Sequence, residues 1–441
     1  MAVAPRCKPT SPRSFTIGER APKPAEADGG DSDDDNQELA LPNAVEIGAA
    51  IALPHGFGVA GLRSVGGGSG AFVALVDAPA GTGRVVELGR TYGGADPPRL
   101  ATRGERLFAV VPDSDASSGR LRLASIGITA SPPSVTWGGE ISAKRDESAE
   151  FALEVGETRG VVVWDEFDKK SRRGMIKAST FAAADLANLT QPRTISPDTR
   201  DSEAPHLAPR PGGFWLAWMT RGTAAPKPPA HEPKPKPAAR PAPSAKAAEA
   251  EPAPDESVLR VGVSAIEIVP LDANGSPTGE PRMVTTPRAH VMAFDLAAAR
   301  DGTALLAWRD DDTAPGVESG SVHLARIGLD GSVTRSVIDD DQGGAGVPSL
   351  LIDRSARPTW LALASVTDAT RLGALGAQGD LLDSLAGDPL LGNAEPLALE
   401  DGRFLLARPR GMAVELAMID CVPGPKPSPA ANEPDASDGG P

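Results

Sequence analysis

Carboxylates are the side chains in this sequence with the most chemistry to offer. The chain carries 59 Asp and Glu against 44 Lys and Arg, a formal net charge of −15. Several stand in close sets just after short apolar runs: Asp113 and Asp115; Asp165, Glu166 and Asp168; Asp310, Asp311 and Asp312. Converging carboxylates can do three kinds of work. Six or more oxygens hold a hard cation such as Ca²⁺. A pair at a set separation cleaves a glycosidic bond, one group protonating the leaving oxygen and the other attacking or activating water. A dispersed set attracts a basic partner. The plainer alternative is that Asp suits turns and keeps the chain soluble.

Other chemistry is sparse. There is no His-Glu-x-x-His zinc motif, no Gly-x-x-x-x-Gly-Lys phosphate loop and no Gly-x-Ser-x-Gly nucleophile turn. The five histidines (55, 206, 231, 290 and 323) lack ligand spacing. Asp31, Asp33 and Asp35 begin like a calcium loop, but Asn36 replaces the required Gly and Pro42 stands where the closing Glu belongs. No cofactor is expected, with Ca²⁺ the single ion the carboxylates would admit. Arg300–Trp308 comes nearest to the turn motif of sialidases, at the wrong spacing. Cys7 and Cys421 are the only cysteines; they are either one disulfide joining the two ends or two unrelated thiols, and distance decides between them.

Composition narrows the partners. Aromatics are 4% with a single Tyr, too few for base-stacking platforms, and the negative charge repels phosphate backbones and anionic membranes. Nucleic acid is therefore excluded as a first reading. No apolar run is long enough for a transmembrane helix. The first residues lack the features of a signal peptide, so either the protein is cytoplasmic or the chain is missing its original N-terminus.

The elements that position these residues follow from the repeats. Residues 1–42, 223–257 and 422–441, rich in Pro, Ala and charge, bury too little apolar surface to order themselves. Between them lie seven apolar runs: Phe72–Val76, Leu107–Val111, Val161–Trp164, Phe214–Trp218, Ala304–Trp308, Trp360–Leu363 and Phe404–Arg408. Aligned at 75, 110, 164, 218, 308, 363 and 408, they step by 35, 54, 54, 90, 55 and 45 residues. The step of 90 contains the 35-residue stretch 223–257, so it is an ordinary repeat carrying an insertion. A strand ending in a Gly turn precedes each run, and an alternating strand and then a more polar one follow it.

Four antiparallel strands repeated seven times predict an all-β β-propeller over residues 43–421, with the insertion 223–257 in the fourth blade. Counts of six or eight remain open because the first step is short. The seventh unit lacks a fourth strand, and Val45–Leu53 is expected to supply it, removing an exposed edge. A monomer is expected.

The apolar strand ending in Leu-Ala-Trp, followed by a Leu-Asp-x-x-Gly-type turn, resembles the extracytoplasmic β-propeller repeat proteins of high-GC bacteria, the myxobacterial type in particular. The resemblance spans residues 43–421 and implies a propeller exported to the periplasm, cell envelope or medium. It carries no functional residue across.

In a propeller, the loops between the second and third strands share a face with the loops between blades. Asp113, Asp115, Asp165, Asp168, Asp310, Asp311 and Asp312 then belong to one acidic face, with Asp96, Asp198 and Asp201 of the inter-blade loops beside them. The first reading is a non-enzymatic scaffold that presents this face to a protein or basic ligand. The second is a glycan-active or other hydrolase with carboxylates at the axial mouth. A shallow, dispersed acidic face would favour the scaffold. Two carboxylates at one central site, at least one in an apolar setting, would favour the enzyme.

Overall fold

A computed structural model describes residues 6–9, 13–16, 45–65, 68–77, 83–91, 95–115, 118–142, 150–221, 264–286, 289–299, 301–311, 320–338, 347–352, 360–364, 371–375, 381–385, 395–398, 403–410 and 413–422. Every regular element among them is a β-strand and every sheet is antiparallel; six sheets hold their strands in chain order, and the seventh also pairs with N-terminal strands. The first sheet is Val45–Leu53, Gly56–Val65, Gly68–Asp77 and Gly83–Thr91. The second is Arg99–Arg103, Arg106–Asp115, Ser118–Gly127 and Ser134–Glu140. The third is Phe151–Val155, Arg159–Asp168, Arg173–Ala182 and Arg193–Thr194. The fourth is Asp201–Arg210, Gly213–Arg221, Ser264–Asp272 and Arg282–Met283. The fifth is Val291–Ala298, Ala304–Asp311, Gly320–Ile327 and Val333–Ile338. The sixth is Val347–Leu351, Trp360–Ala364, Arg371–Leu375 and Leu381–Leu385. The seventh holds Glu395–Ala398, Arg403–Arg410 and Ala413–Val422.

The first strand of each sheet touches the first strand of the next, and Glu395–Ala398 of the seventh touches Val45–Leu53 of the first. We call these the inner strands. The second strands read as unbroken apolar runs because they are covered on both faces. Leu107 to Val111 are wholly buried. Outer strands alternate, as Gly83–Thr91 does, because only one of their faces is covered.

The core is not one mass but a series of apolar layers, each shared by two consecutive sheets. Leu75, Leu107 and Ile126 join the first to the second, and Phe108, Trp164 and Phe181 the second to the third. Val163, Trp218 and Leu271 join the third to the fourth, and Trp215, Phe294 and Trp308 the fourth to the fifth. Leu305, Leu324 and Leu361 join the fifth to the sixth, and Phe57, Phe72, Leu405 and Val414 join the seventh back to the first. Hairpin turns reinforce the layers. Gly302, at φ 82°, lets the fifth sheet turn tightly, and its carbonyl accepts a 2.8 Å hydrogen bond from Trp215 Nε1 of the fourth.

Three sequence expectations need correction. The first apolar run, Phe72–Val76, is the third strand of its sheet, whereas the other six are second strands. The true second strand is the glycine-rich Gly56–Val65, which explains the short first step, and Leu75 is not equivalent to Trp164, Trp218 and Trp308. Val45–Leu53 does not complete the seventh sheet; it pairs with Gly56–Val65 as the inner strand of the first. Arg6–Pro9 and Arg13–Thr16 lie instead along Ala413–Val422, so residues 1–42 are not without structure throughout. The insertion 223–257 lies outside the described residues, between the second and third strands of the fourth sheet.

The layers tolerate no added volume where a ring lies over a glycine. A methyl group at Gly160 would run into the Phe181 ring opposite it. Gly160→Ala should therefore destabilise the fold by ~1–3 kcal/mol in a denaturant titration, and Phe181→Leu in the same chain should recover some of the loss.

Candidate functional site

Four antiparallel strands return the chain to the end from which it entered, so successive inner strands begin at the same end of the molecule. The residues at those beginnings are acidic. Glu46 stands at the start of Val45–Leu53, Asp96 leads into Arg99–Arg103, Glu150 immediately precedes Phe151–Val155, and Asp201 and Glu203 open Asp201–Arg210. Asp165 joins them from the second strand of the third sheet. Its backbone N–H donates to the Glu150 carbonyl at 3.1 Å, one step beyond the Phe151–Trp164 pair.

The register explains how these groups are held. The inner strand of the fourth sheet bulges between Glu203 and His206. Ala204, inside that bulge, has φ 54° and donates its N–H to Asp165 Oδ2 at 3.4 Å. A carboxylate of the third sheet thus fixes an irregularity of the fourth, and the irregularity re-aims the side chains on either side of it. Asp165 itself is 5% exposed. Beyond the bulge, His206 Nδ1 approaches Asp295 Oδ1 of the fifth sheet at 3.4 Å and its ring packs on Phe294 at 4.5 Å. Glu203 accepts a 2.7 Å charge-assisted hydrogen bond from Arg221 Nε.

Four of these carboxyl groups titrate above their ordinary range. Glu150 is exposed at the surface, yet partial desolvation by the groups around it raises its carboxyl most, the negative charges of Asp165, Asp96 and Glu203 add to that, and His206 partly opposes them. Burial also raises Glu203, against the lowering influence of Arg221, with Asp201 and Asp165 pushing it up further. Glu46 is raised by burial and by Asp96, and Asp96 by burial against the pull of Arg99. The electrostatic chain runs unbroken from the first sheet to the fourth. A proton taken up by one member relieves its neighbours.

The structure divides the acidic face expected from sequence. Asp165 belongs to this cluster. Asp168 caps its own hairpin: the Ser171 hydroxyl foremost, then the N–H groups of Lys170 at 3.2 Å and Ser171 at 3.1 Å, donate to it and hold its carboxyl below the usual range. Asp310 accepts from the His290 N–H at 2.8 Å, and Asp311 pairs with Arg309 at 2.5 Å. Asp113 and Asp115 lie at the end of Arg106–Asp115, and Asp312 lies outside the described residues. Cys7 and Cys421 face each other directly in the antiparallel register of Arg6–Pro9 and Ala413–Val422. Sequence reasoning missed Glu46, Glu150, Glu203, His206 and Asp295. The available signal was their position just before or within each inner strand. Among the described residues, no set of three or more His, Cys, Asp or Glu is arranged to hold a metal ion, and no helix is long and apolar enough to cross a membrane.

No protein-family model matches the chain, and its sequence matches no curated protein. Its fold is similar to solved structures. The polysaccharide lyase Uly1 superposes with a TM-score of 0.54 at 10% identity, over 95% of this chain and 99% of that one. The β-propeller domain of the Trilobed protease from Pyrococcus furiosus gives 0.45 at 11% identity, over 82% and 91%. The acylaminoacyl peptidase of Pyrococcus horikoshii gives 0.48 at 9% identity, over 86% of this chain and 52% of that one, so the chain spans about half of that protein. At such identities the likeness is one of architecture: the protein is a β-propeller. The expectation of a non-enzymatic scaffold is corrected here. A solved structure of similar fold is a polysaccharide lyase, and the carboxylates at the starts of the first four inner strands act electrostatically on one another.

A carboxyl group raised in the folded state binds more protons folded than unfolded, so stability falls as pH climbs from the ordinary carboxylate range through the raised values. Glu150→Gln removes that liability. Its thermal midpoint near pH ~7 should exceed that of the unaltered protein by ~1–3 °C, with the difference vanishing once the pH is low enough to protonate the unfolded chain.

Proposed function

We propose that the protein hydrolyses glycosidic bonds in a neutral glycan, with Glu150 as proton donor and Glu203 as the ionised partner. The observation that carries this reading is Glu150, an exposed carboxyl group that partial desolvation and three carboxylate neighbours raise, with Glu203, paired to an arginine, among those neighbours. Both groups are raised by desolvation, and the arginine that draws Glu203 back toward its charged form is the difference that assigns acid and base. Glu150 keeps its proton and gives it to the leaving oxygen. Glu203, with Arg221 favouring its charged form, activates water or attacks the sugar carbon. Asp165 is buried between them and acts as a positioning residue. Its negative charge holds the proton on Glu150, and its bond to Ala204 sets the direction of Glu203.

The sign of the mouth argues for neutral sugars. Elimination from a uronic acid first requires the sugar carboxylate to be neutralised, and the charges of Asp165 and Glu203 beside the protonated Glu150 repel it instead. A serine nucleophile is disfavoured by position. Ser321 Oγ meets His323 Nε2 at 2.8 Å, but on the third strand of the fifth sheet, with the imidazole stacked on Trp308.

In the same reading the seven sheets are the blades of one closed ring, completed in the seventh by the N-terminal segment 6–16. Directly opposed residues of an antiparallel pair have Cα atoms ~4.5–5.5 Å apart, within the span of a disulfide. Cys7 and Cys421 would then clasp the ring, each thiol losing a proton and an electron to a disulfide oxidant. That chemistry belongs to an oxidising compartment and agrees with export of a glycan-degrading enzyme. Purified without reductant, the protein should weigh two hydrogens less than its reduced form and yield a single cross-linked peptide containing both residues. Two free thiols after exposure to oxidised glutathione would remove the clasp.

For the reaction, release of new reducing ends from a panel of neutral polysaccharides should be detectable. Glu150→Gln should lower turnover by ~10²–10⁴-fold, and Glu203→Gln should abolish the acidic limb of the pH–rate profile while the fold melts normally. A well-folded protein that cleaves no neutral glycan, or a Glu150→Gln variant of undiminished activity, would overturn the assignment.

A further inference from the structure

At the opposite ends of the inner strands the charge reverses. The turns that follow them in the second, third and fourth sheets enclose a cavity of about 520 Å³. Three arginines line it: Arg103 at the end of Arg99–Arg103, Arg159 at the start of Arg159–Asp168, and Arg210 at the end of Asp201–Arg210. One carboxylate, the exposed Glu157, lies among them. In a protein of net charge −15, three cations around one hollow run against the overall composition.

Their partners do not account for them. Among the described residues none of the three forms an ion pair. Arg159 donates to Thr180 Oγ1 at 3.0 Å, while its Nε is buried without a hydrogen-bond partner. Arg210 lies over the Trp215 ring at 4.8 Å, and its Nε is likewise buried and unpartnered. Burial pushes the Arg210 guanidinium below its ordinary value, with no carboxylate opposing the effect. A partly desolvated cation of this kind is costly until an anion meets it.

We propose that this cavity binds a small multivalent oxyanion, one that offers a phosphoryl group or several carboxylates to the three guanidinium forks. Planar forks recognise such groups in a bidentate manner, and the cavity volume falls in the range of small-molecule sites, ~300–1,000 Å³. The Thr158 hydroxyl, also in the lining, supplies a neutral donor. The site is independent of the reaction proposed at the other mouth, whose carboxylates would repel the same ligand.

Calorimetric titration with inorganic phosphate and, separately, with citrate tests the proposal at fixed ionic strength, with sodium chloride as the control. Saturable binding of at least one probe is expected, phosphate alone identifying a phosphoryl ligand and citrate alone a polycarboxylate. Arg210→Met and Arg159→Met should each weaken it ~10-fold or more, as loss of a charge-assisted pair does. Arg103→Met should do so without a packing penalty, because Arg103 is exposed. Glu157→Gln should tighten binding, and Glu150→Gln should leave it unchanged. Absence of saturable binding by both probes, or equal binding by Arg103→Met and the unaltered protein, would overturn it.

Discussion

Each sheet of this protein has two apolar faces and only its neighbours to cover them. That constraint shapes everything else. The third sheet buries Trp164 and Phe181 against the second and Val161, Val163 and Ile176 against the fourth, so its second strand cannot carry a polar residue on either side until it leaves the layer at Asp165. The same demand brings the seventh sheet back to the first, through Leu405, Val414, Phe57 and Phe72. Because burial is shared pairwise, there is no central core whose loss would leave the rest intact. Aromatic rings lying over glycines, as Phe181 does over Gly160 and Phe72 over Gly61, show how tightly neighbouring strands fill the space between layers.

Convergence of the inner strands has an electrostatic consequence. Each sheet delivers the first residues of its inner strand to one narrow region, and in four successive sheets those residues are acidic. Self-repulsion and burial make the arrangement unfavourable, which is why Glu46, Asp96, Glu150 and Glu203 all resist ionisation. Charge gathered at the starts of successive inner strands is what the proposed acid–base chemistry would draw on.

The repeat was legible in the sequence because second strands are bulky and unbroken, and because subtracting one insertion restored an even step. It failed where bulk and position diverge. Gly56–Val65 holds glycines whose space is filled from outside, by Phe72 at Gly61, so a search for large apolar residues settles on the neighbouring strand. The partner of Ala413–Val422 was missed for the opposite reason: Arg6–Pro9 and Arg13–Thr16 have an ordinary edge composition that resembles a tail. At the site, Asp165 could be singled out because it ends an apolar run. Glu46, Glu150 and Glu203 could not, since nothing in their local sequence shows that three strands far apart in the chain start at one place. Charge clustering along the chain instead pointed to Asp168 and Asp311, whose partners are sequence neighbours, and to Asp310, which accepts from His290 just before the preceding strand.

The antiparallel pairing of the N-terminal segment with Ala413–Val422 also fixes how the molecule answers to mechanical load. Arg6 lies opposite Val422, so tension applied from before the one and after the other pulls the two strands apart at a single end. Hydrogen bonds loaded in that way break in succession, as in a zipper, rather than resisting together as in shear. The first pair inward from that end is Cys7 and Cys421, the position at which one covalent bond would halt the opening before it reached the second rung.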